Sequence, residues 1–114
     1  MNEPTIDGSC HCGAITIRIA RAPTSVSECN CSLCRRIGGL WHYLPPAQVQ
    51  VAGEAKGYVQ GDCMLTTWHC PTCGCTTHCT AIDPGYDRMG INMRMFAPEV
   101  WKDLPREQVD GASF

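Results

Sequence analysis

Residues 70–75, Cys70-Pro71-Thr72-Cys73-Gly74-Cys75, read as a metal knuckle. Two thiolates separated by two residues can reach one tetrahedral ion, and the glycine behind them lets the backbone turn under the sulfurs. Two ligands do not close such a site. The best complementary pair is Cys10-His11-Cys12-Gly13, also ended by glycine, so a shared ion would staple the N-terminal region to the middle of the chain. Between them lies Cys29-Asn30-Cys31-Ser32-Leu33-Cys34, which offers three thiolates and no evident fourth.

Two zinc sites of different character are therefore expected. Cys10, Cys12, Cys70 and Cys73 make a saturated tetrahedron with no position for substrate, which is the pattern of a structural ion. Four thiolates on Zn²⁺ leave a formal charge of about -2, a poor Lewis acid and a good clamp. Cys29, Cys31 and Cys34 leave one position open, the pattern of a catalytic ion. Their smaller excess of negative charge suits holding a soft sulfur ligand better than making hydroxide. Ten cysteines less these seven leaves Cys63, Cys75 and Cys79. Any of the three could close the second site into another structural zinc, and Cys75, beside the knuckle, is foremost.

With 114 residues the chain is expected to be one domain, residues 1–114, with a modest core that metal staples would reinforce. In a secreted chain so many cysteines would suggest a disulfide framework. The start, Met1-Asn2-Glu3-Pro4-Thr5-Ile6-Asp7, shows no basic region followed by an apolar run, and the spacings are those of knuckles. A cytoplasmic location with reduced thiols is expected. No apolar stretch approaches the roughly 20 residues of a membrane span. A net charge of -2 gives no reason to expect nucleic acid. Oligomeric state is not legible. The adjacent basic pair Arg35-Arg36 follows the three-cysteine group, where a guanidinium could anchor a carboxylate by bidentate pairing.

Along the chain, residues 14–19 alternate apolar and polar side chains with the period of a strand. Residues 25–28, 40–44, 49–51, 57–61, 64–69, 76–81 and 88–92 read as further strands, with a hairpin across Gly61-Asp62-Cys63 and a helical turn at Val100-Trp101. The segment from Asp103 onward reads as loop. No sustained 3.6-residue period appears, so the expected fold is all-β, built of short antiparallel sheets. Trp41, Tyr43 and Trp68 are expected in the core, and His42 and His78 are the histidines to consider as proton carriers.

Taken in order, Gly8-Ser9-Cys10-His11-Cys12-Gly13, then Cys29-Asn30-Cys31-Ser32-Leu33-Cys34-Arg35-Arg36, then Cys70-Pro71-Thr72-Cys73-Gly74 resemble the glutathione-dependent formaldehyde-activating enzyme family, which includes centromere protein V. The similarity spans about residues 8–96. It implies a zinc-stapled, β-tent-like fold, a structural zinc on Cys10, Cys12, Cys70 and Cys73, and a second on Cys29, Cys31 and Cys34. It also implies a carbon-sulfur lyase that joins or parts formaldehyde and glutathione as S-hydroxymethylglutathione. Many members carry an aromatic residue where this chain has Cys79, and Cys75 is an additional thiol.

The expected function is a zinc-dependent lyase whose small-molecule partner is a thiol such as glutathione. Arg35, Arg36 and Arg94 are candidate anchors for its carboxylates, and His42 or a water is the candidate acid for the alkoxide. Two other classes compete: a non-catalytic zinc module that binds a partner protein, and a thiol oxidoreductase resembling type-B methionine sulfoxide reductases, with Cys75 or Cys79 as nucleophile.

Overall fold

The computed structural model describes residues 5–59, 65–83 and 85–113. Ten strands are present among them: β1 (Ile6–Ser9), β2 (Thr16–Ile19), β3 (Val26–Cys29), β4 (Trp41–Leu44), β5 (Val49–Ala52), β6 (Lys56–Val59), β7 (Leu65–His69), β8 (Thr76–Ala81), β9 (Met89–Asn92) and β10 (Arg106–Val109). One α-helical turn, α1 (Cys34–Ile37), and short 3-10 turns complete the set. The fold is all-β, as the alternating segments predict. No helix among the described residues is long and apolar enough to cross a membrane.

The strands form two sheets, a small one in the order β1-β2-β5 and a large one in the order β10-β3-β4-β9-β8-β7-β6. Period-2 alternation sends Ile17 and Ile19 of β2 to one face, and they pack with Val26, Leu44, Met89 and Ile91 of the large sheet. Leu40, Met93 and Phe96 complete that core. A second apolar cluster, Cys10, Ile15 and Cys70, joins the two knuckles.

Several elements depart from the sequence reading, each for an identifiable reason. The strand expected over 14–19 starts only at Thr16, because Ile15 belongs to the knuckle: its N–H donates to Cys10 Sγ at 3.3 Å and its carbonyl accepts from the Cys10 N–H at 3.0 Å. Strand β1 carries Asp7-Gly8, which local propensity opposes, and is specified by its antiparallel pairing with β2. Strand β10 falls where a loop was expected. Its Arg-Glu-Gln-Val sequence has no apolar alternation, since this edge strand is held by polar contacts: Arg106 and Gln108 reach Glu28 at 3.3 and 2.9 Å. It runs parallel to β3, so the large sheet is mixed and not purely antiparallel. Strands β6 and β7 pair antiparallel as expected, but the turn at 61–63 lies outside the described residues.

His78 lies on the core side, stacked on Trp68 with ring centroids 6.1 Å apart and hydrogen bonded to Thr77 at 2.7 Å. Burial lowers its pKa from 6.5 to about 4. Between those values the unfolded chain binds a proton that the folded chain refuses, so stability falls as pH drops through this window and is unaffected by His78 above it. Urea midpoints measured from pH 7 to 4.5 should therefore decline less steeply in His78→Gln than in the parent protein. Parallel declines would show that His78 does not contribute.

Candidate metal centres and the cavities beside them

The two knuckles meet. The sulfurs of Cys10, Cys12, Cys70 and Cys73 all lie within 4.8 Å of one another. The Cys10–Cys12 and Cys12–Cys70 separations are 3.7 and 3.6 Å. A disulfide would need about 2 Å; a zinc tetrahedron with bonds of about 2.3 Å has edges near 3.8 Å. Gly13 and Gly74, at φ 82° and 81°, supply the left-handed residue that turns each loop. Backbone N–H groups point at the sulfurs, from Thr72 and Cys73 to Cys70 at 3.4 and 3.5 Å.

The electrostatics of this group call for a cation. Backbone N–H groups of Cys75 and Cys12 lower the Cys73 thiol to about 5. At Cys12 the Ala14 N–H favours the thiolate, but the neighbouring thiols of Cys70, Cys10 and Cys73 outweigh it and push the value up to about 11. Four thiolates at these separations repel one another unless positive charge sits among them. The donor set therefore fits a closed thiolate metal site.

Cys29, Cys31 and Cys34 also bring their sulfurs within 4.8 Å. Cys29 ends β3, Cys31 lies in the turn and Cys34 begins α1. The Cys34 N–H donates to Cys31 Sγ at 3.3 Å and the Cys31 N–H to Cys29 Sγ at 3.5 Å. At Cys31 burial opposes ionisation, yet the N–H groups of Cys34 and Leu33 and the adjacent thiols lower the pKa overall. Burial first, and then Cys31 and Cys29, push Cys34 up. Behind the group stands the segment after β10. A Cβ on Gly111 would lie 2.5 Å from Cys29 Sγ, so only glycine allows that approach. Asn30 pins the segment, donating to Asp110 at 3.0 Å and accepting from the Ala112 N–H at 2.9 Å.

The remaining described thiols, Cys75 and Cys79, stand apart from the trio. Cys75 packs beside the clamp. Cys79 is buried in β8, and a Cβ on Gly90 would meet its sulfur at 2.7 Å. Cys63 lies outside the described residues. Among the described residues the second group therefore has three members, and the nine described cysteines are all free thiols. Burial pushes Cys79 up to about 11, which disfavours it as a nucleophile.

Strand alternation decides what faces the second group. Ser27 pairs with Trp41, so Cys29, Trp41 and Tyr43 share one face of the large sheet, while Val26, His42 and Leu44 share the core face. His42 thus points away from the three thiols, and its ring nitrogen contacts the Arg21 carbonyl at 3.2 Å. Burial lowers its pKa. Tyr43, and not His42, lies on the face that carries Cys29. Burial, and then the nearby thiols of Cys79, Cys34 and Cys29, hold its phenol above the ordinary range. Trp41 is buried as expected, but Trp68 is only half-buried and Tyr43 is 45% exposed.

Two hollows are lined by residues of α1 and of the strand face that carries Tyr43. One, of about 400 Å³, lies between α1 and the second knuckle, lined by Arg36, Cys75, Asn92 and Arg94. Arg36 donates to the Ser32 carbonyl at 2.7 Å and Arg94 to the Gly38 carbonyl at 2.6 Å. The Arg94 guanidinium also sits 5.2 Å from the Trp101 ring centroid, which fixes its plane. Arg35 is exposed and does not line this hollow. The other, of about 560 Å³, lies on the Tyr43 side, with Cys79, Leu65, Met89, Gly90 and Tyr86 among its walls. A larger hollow over β1 and β2, about 700 Å³, has no thiol in its lining and contains the exposed Asp7–Arg18 ion pair.

Comparison with known proteins adds three findings. The sequence model described as glutathione-dependent formaldehyde-activating enzyme matches residues 5–107. A protein of Halomonas elongata, described as "Putative glutathione-dependent formaldehyde-activating enzyme", is 43% identical over 55 residues, which cover 47% of this chain and 32% of that protein. The chain thus matches about a third of the length of that relative. A crystal structure of a Rhodobacter sphaeroides protein superposes with a TM-score of 0.72 at 25% identity, covering 89% of this chain and 99% of the other.

Proposed function

Since this chain belongs to the glutathione-dependent formaldehyde-activating enzyme family, we propose that it is a zinc-dependent carbon-sulfur lyase joining or parting a thiol such as glutathione and an aldehyde. Cys29, Cys31 and Cys34 would hold the catalytic zinc, and Cys10, Cys12, Cys70 and Cys73 the structural one. The observation that carries the reading is the contrast between four converging sulfurs and three, with Arg36 of the helical turn that follows the trio lining a hollow that also holds Arg94. Zinc bound at the trio supplies a Lewis acid that favours the thiolate form of a sulfur donor.

In the joining direction a carbon–sulfur bond forms, the carbonyl π bond opens, and the thiol proton ends on the oxygen; the parting direction reverses each change. The chain's own residues orient the partners. Arg36 and Arg94 offer N–H groups to a carboxylate of the thiol, in a site where Arg94 is held rigid. Tyr43, on the face of Cys29, donates a hydrogen bond toward the oxygen, and its protonated phenol suits that task. A reducing cytoplasm, rich in free thiols, suits both the cysteines and the co-substrate.

Cobalt in place of zinc makes the open position visible. Glutathione added to cobalt-loaded protein should change the thiolate-to-metal charge-transfer bands saturably. Arg36→Ala should weaken that response by about three- to tenfold, the size of a partly exposed charge-assisted hydrogen bond. A flat titration would sink the reading, because a protein-interaction module closed by a fourth ligand has nothing to exchange.

A further inference from the structure

The large sheet uses one face for the core and the other for the three-thiol group, and that second face continues past Tyr43. Tyr43 pairs with Gly90, and Gly90 pairs with Cys79. A Cβ on Gly90 would come within 2.7 Å of Cys79 Sγ, 3.2 Å of the Tyr43 ring and 3.3 Å of the Trp41 ring. Gly90 is thus the floor on which these three side chains converge. Beyond it opens the cavity of about 560 Å³, whose walls include Leu65, Ala81, Met89 and Tyr86.

Two observations mark this cavity as a ligand site and not a surface irregularity. Its volume lies within the roughly 300–1,000 Å³ of small-molecule pockets, and its lining has the usual apolar majority with few polar groups. In addition, five large hydrophobic residues are exposed among the described residues, and three of them, Tyr43, Ile82 and Tyr86, line this one cavity. Exposed apolar side chains gathered at one place signal a binding surface. The charges at the rim, Asp83 and Arg88, are opposite in sign, so the site selects neither anions nor cations.

We propose that this cavity holds the apolar body of the carbonyl partner, and that the chain acts on adducts of an aromatic or branched aliphatic aldehyde in preference to formaldehyde. The nature of the ligand rests on the lyase reading; the existence of the site does not. Formaldehyde has two non-hydrogen atoms and would leave nearly all of the cavity to water, which occupies about 30 Å³ per molecule. A ring or branched chain would displace that water and cover Tyr43, Tyr86 and Leu65. The carbonyl end would then lie at Tyr43, the residue common to the cavity and to the face of Cys29.

The test uses the metal-loaded protein and two readouts. Benzyl alcohol, an unreactive stand-in for benzaldehyde, should shift the ring resonances of Tyr43 and Tyr86 saturably. Ala81→Trp, which fills the cavity, should weaken that binding about tenfold or more, the effect expected for losing the burial of one aromatic body. Tyr86→Ala removes only an exposed wall and should weaken it by a smaller factor in a protein that folds. Absence of saturable shifts at Tyr43 and Tyr86 in the parent protein would overturn the proposal. Initial rates with glutathione adducts supply the second readout, with kcat/KM about tenfold or more higher for the benzaldehyde adduct than for the formaldehyde adduct. Preference for formaldehyde would overturn the assigned substrate class. Binding of benzyl alcohol without turnover of either adduct would support the site and overturn the lyase reading.

Discussion

Replacing Cys73 by serine should leave the chain largely unfolded at neutral pH, even with zinc in excess. The four sulfurs of Cys10, Cys12, Cys70 and Cys73 join the loop between β1 and β2 to the loop between β7 and β8, and so tie the small sheet to the large one. Metal-binding energy at a site that exists only in the folded state is folding energy, about 10–16 kcal/mol for structural zinc in small domains. Whole domains are stable by only about 5–15 kcal/mol. Losing one thiolate of four also leaves the buried sulfurs of Cys10 and Cys70 and their N–H donors without the charge that organises them. Far-ultraviolet circular dichroism, metal content and urea titration would measure the effect. A Cys73→Ser protein as stable as the parent would show that the clamp contributes nothing to folding.

Cys31→Ser should behave in the opposite way, remaining folded with about one metal ion per chain and losing turnover of the thiol–aldehyde adduct by on the order of a thousandfold. The three-thiol group stands at one end of the large sheet, held by the Asn30 contacts to residues 110–112 and by the pairing of β3 with β10, none of which uses the Cys31 sulfur. Its loss therefore leaves the core of Ile17, Val26, Leu44 and Ile91 untouched. Lewis-acid stabilisation is worth several kcal/mol, and each 1.36 kcal/mol is a factor of about ten in rate. The contrast with Cys73→Ser is the informative result. If both proteins unfold alike, the two sites are equally structural and a non-catalytic module becomes the better description.

The groups of thiols were legible in the sequence because a knuckle is local: Cys-x-Cys or Cys-x-x-Cys with glycine behind it prescribes its own turn, and seven cysteines in three such groups leave few ways to share ions. The strands 41–44, 49–52, 65–69 and 76–81 were legible for a similar reason, since alternation with period 2 is written in consecutive residues. Most of what surrounds the trio was not local. Adjacent residues of a strand always face opposite ways, but whether His42 or Tyr43 faces the thiols depends on the Ser27–Trp41 pairing, a contact between strands that alternation alone does not register. Strand β10 has no apolar pattern to announce it, because its partner β3 supplies the hydrogen-bonding edge and Glu28 the side-chain contacts. Likewise Arg35 and Arg36 are equivalent in sequence, and only the turn of α1 places Arg36 beside Arg94. The sequence by itself thus determined which atoms could bind metal and that the chain would form sheets, through spacing and period. Only the tertiary structure decided which sulfurs converge, which face of the large sheet they share, and what cavities open beside them, because those follow from strand register and long-range packing.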